Sequence, residues 1–188
     1  MCVVLIALSG CSTGPPLEKD GASVPEAGSG SYAAEAVCTP VSLGADRCPG
    51  ESCAQNVLGK EDGIGLVLAG CQVLDVAFVG GVIRLSSPAE PDLAIHLVLP
   101  IEGHFRVEAS ADGEKYIFVG EFNTKWNIPK GSCLGQLNGT RVLFNLESCN
   151  TIDNIQFIRV LPLRNATGIF DCTIDAIEGI SFVSAKNL

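Results

Sequence analysis

Short runs of β-branched and aromatic residues, separated by Gly, Pro, Asn and Asp, dominate the sequence beyond residue 70. Such runs indicate β-strands, and a spacing of roughly ten residues is typical of sandwiches and barrels. Residues 105–110 alternate strictly between apolar and polar side chains, which predicts one face against a core and one against water. Strands are predicted at residues 73–79, 81–86, 94–99, 105–110, 116–122, 141–146, 155–161 and 170–177. The sequence therefore predicts an all-β domain, a two-sheet jelly-roll sandwich.

The last predicted strand alternates in the same way, which assigns a face to each of its residues. Phe170, Cys172, Ile174 and Ala176 fall on the apolar face and are predicted to meet the core. Between two other strands, residues 111–113 read Ala-Asp-Gly and predict a hairpin turn, because glycine accepts the positive φ of a tight turn. No stretch longer than about ten residues keeps the period of an amphipathic helix.

The chain has nine cysteines, and seven of them lie beyond Cys2 and Cys11. The spacing lacks the two close pairs of a zinc site, so disulfides are the favoured interpretation. Because seven is odd, at least one thiol stays free, and Cys172 is the candidate on its apolar strand face. Cys133 and Cys149 flank a turn-and-strand segment and are a possible bridge. The connectivity among the other four, Cys38, Cys48, Cys53 and Cys71, stays open.

The N-terminal apolar run at residues 3–8 is too short to span a bilayer, which takes about 20 residues. It leads into Leu8-Ser9-Gly10-Cys11, which resembles the lipobox of bacterial lipoproteins. The resemblance implies that residues 1–10 are a signal peptide, that Cys11 carries the lipid, and that the protein is held at the cell envelope. Ser12 after the cysteine favours the outer membrane if the host has one. The alternative is a buried N-terminal strand with an incidental cysteine.

Composition divides the rest of the chain into a linker and a domain. Residues 11–36 are rich in Gly, Pro, Ser and Ala with few large apolar groups, which predicts a lipid-anchored flexible linker. Residues 37–188 are then one β-sandwich domain of ordinary size. The formal charge of −9 argues against a nucleic-acid partner, because nucleic-acid binding needs basic surface.

Three segments, in order, resemble the discoidin-like, galactose-binding-domain-like jelly rolls. The central one is VEASADGEKYIFVGEF at residues 107–122. The opening comprises residues 56–63 and 78–85, and the ending residues 155–161 and 170–177. The resemblance implies a jelly-roll fold and a binding module for carbohydrate or another surface ligand. A structural or protein-interaction lipoprotein that binds no sugar is the alternative.

The same resemblance implies a structural calcium ion where an early loop meets the last strand. Asp62 lies in that loop, and Asp175 and Glu178 lie on the strand, so these three are the predicted calcium ligands. Calcium takes six to eight oxygen ligands, many of them from irregular loops. The alternative for Asp62 is that it simply initiates a turn with Gly63.

The sequence predicts a protein that is not an enzyme. It has no nucleophile elbow, no metalloprotease helix motif and no phosphate-binding glycine loop. Of the two histidines, His96 is interpreted as a surface strand residue rather than a base. For sugar binding, Trp126 is the candidate ring, because an aromatic face packs on the C–H groups of a pyranose. Trp126 as a core or loop anchor is the alternative.

Overall fold

The structure is a computed structural model that describes residues 31–40, 54–68, 71–87, 90–99, 103–124, 133–147, 152–165, 168–169 and 172–187. Single turns of 3-10 helix lie at Gln55–Val57 and Ala185–Asn187. The strands of these residues are β1 (Glu35–Pro40), β2 (Leu66–Val67), β3 (Cys71–Ala77), β4 (Gly81–Ile83), β5 (Leu93–Leu97), β6 (His104–Ser110), β7 (Ile117–Asn123), β8 (Gln136–Asn138), β9 (Arg141–Phe144), β10 (Phe157–Pro162), β11 (Arg164–Asn165), β12 (Gly168–Ile169), β13 (Thr173–Gly179) and β14 (Phe182–Ser184).

The strands form two antiparallel sheets of five strands each, which makes the domain an all-β sandwich as predicted. The first sheet has the order β1-β3-β10-β6-β7, and the second has the order β2-β13-β5-β9-β8. Two short pairs, β14 with β4 and β11 with β12, stand beside them. The eight predicted strands correspond to β3, β4, β5, β6, β7, β9, β10 and β13. The predicted turn at residues 111–113 joins β6 to its neighbour β7.

The core lies between the inner faces of the two sheets. Strand β6 alternates as predicted, with Phe105, Val107 and Ala109 buried. The Phe105 ring lies 6.4 Å from the ring of Phe144 on β9, so aromatic packing joins the two sheets. Burial of such side chains stabilises the fold by about 1.5–3 kcal/mol each, and hydrophobic packing is therefore the main term that holds the sandwich together.

Strand β13 departs from its predicted alternation at one residue. Its pairing with β5 shifts between Ile174 and Ala176, which is a β-bulge around Asp175. Ile174 and Ile177 both belong to the core cluster as a result, whereas Ala176 does not. Ala176 is nevertheless fully buried, as predicted, although the extra residue places it outside that cluster. Cys172, just before the strand, is buried and free as predicted.

The N-terminal part of the described chain contacts both sheets. Strand β1 pairs with β3, and a disulfide joins Cys38 to Cys71. Tyr32 already bridges to Glu178, and Ala33 is buried. Residues 32–36, which the sequence assigns to the linker, are therefore part of the folded domain. Cys133 is also disulfide-bonded, while its predicted partner Cys149 lies outside the described residues.

A buried carboxylate joins three segments at one end of the second sheet. Asp92 has no exposed surface. Its Oδ1 accepts hydrogen bonds from the backbone and hydroxyl of Ser86, at 2.8 and 2.7 Å, and from the hydroxyl of Ser181 at 3.1 Å. Its Oδ2 accepts the backbone N–H of Leu146 at 3.0 Å. These partners satisfy a charge that would otherwise be costly to bury.

Candidate functional site

The 59–63 loop lies against β13, as the sequence predicts. The bulge turns the Asp175 side chain toward the loop, where Oδ1 accepts the N–H of Asp62 at 3.2 Å and Oδ2 accepts the N–H of Gly63 at 3.0 Å. Gly63 has a φ of +82°, a conformation that suits glycine and turns the loop toward the strand. We call this contact of one carboxylate with two backbone amides the loop anchor.

Glu178 lies on the outer face of the second sheet, at the centre of an ion-paired group. Its Oε2 accepts a hydrogen bond from Nη2 of Arg141 at 2.9 Å. The same oxygen lies 2.9 Å from Nε2 of His96. His96 on β5 is paired in the sheet register with Arg141 on β9 and with Ala176 on β13. Paired residues of antiparallel strands share a face, which explains why side chains from three strands meet here.

Tyr32 and Glu61 complete the group from outside the sheet. The hydroxyl of Tyr32 donates to Oε2 of Glu61 at 3.0 Å, and its ring lies 6.1 Å from the ring of His96. Glu61 Oε2 is also 3.8 Å from Nδ1 of His96. We call the five residues Tyr32, Glu61, His96, Arg141 and Glu178 the Tyr32 cluster. It places two carboxylates on opposite sides of one imidazole.

The Tyr32 cluster has a buried centre and an exposed rim. The His96 side chain is 7% exposed, whereas those of Glu61 and Arg141 are 40% and 39% exposed. The prediction that His96 is a surface strand residue is therefore wrong: it lies on the outer face, but Tyr32 and the loop residue Glu61 lie against it. A ligand would contact the rim residues rather than the imidazole.

The surroundings of Tyr32 and Glu61 move both pKa values away from neutral pH, so each group keeps one protonation state. Burial, the hydrogen bond to Glu61 and the charge of Glu178 raise the pKa of Tyr32 to about 12. A hydrogen bond from its own backbone N–H, and a further one from Tyr32, lower the pKa of Glu61. At neutral pH the tyrosine hydroxyl is thus a donor and the Glu61 carboxylate an acceptor.

The predicted calcium ligands do not fit a calcium ion in this arrangement. All three carboxylates accept hydrogen bonds from protein donors: Asp62 from the N–H of Ile64 at 2.8 Å, Asp175 from two loop amides, and Glu178 from Arg141. The bond to Ile64 matches the alternative role of Asp62 in a turn. Among the residues that the structure describes, no group of three or more His, Cys, Asp or Glu is placed to hold a metal ion.

Two predicted site residues lie outside the described residues: the lipid-attachment residue Cys11 and the candidate sugar platform Trp126. Sequence reasoning missed Tyr32, because it falls in the predicted linker, and Arg141, because a lone arginine at a strand start carries no signal. Glu61 lies in the loop that is predicted to meet the last strand, but it is not among the predicted ligands. Within the described ranges, no helix is long and apolar enough to cross a membrane.

The fold and the cluster together define an all-β sandwich domain with a polar site on the outer face of one sheet. No protein-family model matches the sequence, and the search of curated proteins found no match. Among solved structures, the fold is similar to part of a family 89 glycoside hydrolase from Clostridium perfringens in complex with 2-acetamido-1,2-dideoxynojirmycin. The TM-score is 0.35 at 14% sequence identity, and the match covers 80% of this chain but only 14% of the hydrolase chain.

Proposed function

We propose that the protein is an envelope-anchored lipoprotein whose sandwich domain is a non-catalytic module for binding carbohydrate. The observation that carries the binding role is the rim of the Tyr32 cluster. A half-buried tyrosine ring, a guanidinium and a carboxylate lie side by side there in a hydrogen-bonded network. Sugars present C–H faces to aromatic rings and hydroxyls to donors and acceptors, so this combination suits them.

We propose binding rather than catalysis because neither Glu61 nor Glu178 is suited to act as a proton donor. A glycosidase needs one carboxylic acid with a raised pKa as the proton donor. The pKa of Glu61, the more exposed acid of the cluster, is lowered instead, and Glu178 is held by Arg141 and His96. A fixed carboxylate is a good hydrogen-bond acceptor and a poor general acid.

The anchoring part of the proposal rests on residues 8–11 and their resemblance to the lipobox. The lipid on Cys11 would hold the protein at the bacterial envelope, in the outer membrane if the host has one. Two or three acyl chains give stable anchoring, at about 0.8 kcal/mol per buried CH₂. The domain would then be presented at the membrane surface.

A glycan array probed with the detergent-solubilised full chain tests the binding role. We expect one class of glycan to bind, and Tyr32→Ala to weaken binding about tenfold or more, the equivalent of about 1.4 kcal/mol. Tyr116→Ala is the matched control. It is the other tyrosine of the chain and is also half-buried. Its ring packs on Arg159 of the first sheet, with 3.8 Å between the arginine Cζ and the ring centroid. Equal losses in both variants would contradict a site at the Tyr32 cluster.

Trp126→Ala belongs in the same experiment, because the sequence marks it as a second candidate ring. Loss of binding in Trp126→Ala alone would move the site to Trp126. A blank array with the folded wild-type chain would favour the alternative, a structural or protein-interaction lipoprotein. One observation supports that alternative: Val37 is 59% exposed on β1, which is an edge strand of the first sheet.

A further inference from the structure

At the position where the resemblance implies calcium, each of the three predicted ligand carboxylates accepts a hydrogen bond from a protein donor. We infer that the 59–63 loop is fixed on β13 by the loop anchor, and that Arg141 balances the charge of Glu178, in place of a divalent cation. The proposed binding site beside this loop is then formed without metal. The inference concerns the loop and does not depend on which ligand the domain binds.

The orientation of the loop backbone is the first argument. A calcium ion in such a loop would be bound partly by backbone carbonyl oxygens, with the carboxylates on its other side. Here the loop turns N–H groups toward Asp175 instead, and each carboxylate oxygen accepts one of them, at 3.2 and 3.0 Å. Amide hydrogens carry positive partial charge, so they stabilise the carboxylate of Asp175 as a cation would.

The charge around Glu178 is the second argument. Carboxylates brought close together repel one another unless positive charge lies between them. Arg141 supplies that charge directly, with Nη2 at 2.9 Å from Glu178 Oε2, and His96 donates a second hydrogen bond to the same oxygen. The Glu178 side chain is only 19% exposed, so this pairing is less screened by water than a surface salt bridge.

The bulge in β13 is the third argument, because it exists where the loop is anchored. The register of β13 shifts between Ile174 and Ala176, so Asp175 lies at the irregularity. From there its side chain reaches the two loop amides. Asp175 is 7% exposed, and its two oxygens have protein partners. A metal ion at this carboxylate would therefore compete with the two loop amides for its oxygens.

Amide hydrogen exchange on the full chain, with excess EDTA or with millimolar calcium, tests the inference directly. We expect the amides of Asp62 and Gly63 to be protected to the same extent in both conditions, and the thermal melting curves to superimpose. Asp175→Ala should expose both amides to fast exchange and lower the melting temperature by several degrees, with or without calcium. Asp153→Ala, at an exposed aspartate outside the loop, is the matched control.

The inference is overturned if calcium raises the melting temperature of the wild-type chain and Asp62→Ala, Asp175→Ala or Glu178→Ala removes that shift. It is equally overturned if the two loop amides exchange fast in EDTA and become protected on adding calcium. The wild-type exchange measurement stands even if Asp175→Ala fails to fold. A calcium-dependent shift that survives all three substitutions, with the amides protected throughout, supports the loop anchor and places any ion elsewhere.

Discussion

Asp92 illustrates how single polar residues organise this sandwich. It is fully buried at the start of β5, yet its carboxylate meets donors from three separate segments, at Ser86, Leu146 and Ser181. Each of these three residues lies in a segment that follows a strand, and its hydrogen bond to Asp92 fixes the position of that segment. One charged side chain provides that position for all three, in the same way that Asp175 provides it for the 59–63 loop.

Replacement of Asp92 by alanine should destabilise the domain by at least about 2 kcal/mol. The buried N–H of Leu146 loses its acceptor, and an unsatisfied buried donor alone costs about 1–3 kcal/mol. Urea unfolding followed by circular dichroism measures the change. Glu90→Ala, an exposed acid two positions away, is the control and should change stability by no more than about 0.5 kcal/mol. Equal midpoints for the two variants would contradict this role of Asp92.

At the scale of elements, strand β1 depends on its partner more than on its own sequence. It follows a segment rich in glycine and alanine, and its exposed residues include Val37. Among the described strands its backbone pairs with β3 alone, and the disulfide between Cys38 and Cys71 reinforces that pairing. An edge strand with so little apolar surface gains much of its stability from such a cross-link.

Removal of this disulfide, by Cys38→Ala with Cys71→Ala, should destabilise the domain by about 3–4 kcal/mol, given a loop of 33 residues. The bridge restricts the unfolded chain, so its loss lowers the free energy of unfolding. Cys172→Ala, which removes a buried free thiol, is the control and should cost about 1 kcal/mol. Peptide mapping without reduction checks the pairing: a peptide linking Cys38 to Cys48 or Cys53 would contradict it.

The sequence predicts strands well where apolar alternation is long, as in β6, and poorly where a tertiary partner decides. Strand β1 and the short strands β2 and β8 lack an apolar pattern of their own. The bulge at Asp175 is equally hidden, because its cause is a pair of amides more than a hundred residues earlier, at Asp62 and Gly63. The resemblance predicted that the 59–63 loop meets β13. It did not predict Arg141, which pairs with Glu178 from β9.

At the scale of the whole molecule, the proposed arrangement is a lipid, a linker and a sandwich. Residues 32–36 belong to the folded domain, although composition assigns them to the linker. The proposed binding surface includes Tyr32, three residues before β1, which ties the position of the site to the N-terminal end of the described domain.

The anchor itself is tested by Cys11→Ala. We expect the variant to leave the membrane fraction or to accumulate unprocessed, because the lipid is the proposed attachment. Fractionation with a high-salt wash, followed by immunoblotting, measures this, and Cys2→Ala serves as the control that should fractionate like the wild type. Membrane retention of Cys11→Ala after the wash would contradict the lipobox interpretation.

The disulfide between β1 and β3 also has a mechanical consequence. A force that pulls on the chain from its N-terminal side acts first on the hydrogen bonds of Ser31 and Ala33 to β13, and then on strand β1 from Glu35 onward. Strand β1 could be peeled from β3 one residue at a time only as far as Cys38. There the covalent bond passes the load to β3, which has neighbours on both sides of the sheet. A tethered domain built this way would resist traction that would strip away an edge strand held by hydrogen bonds alone.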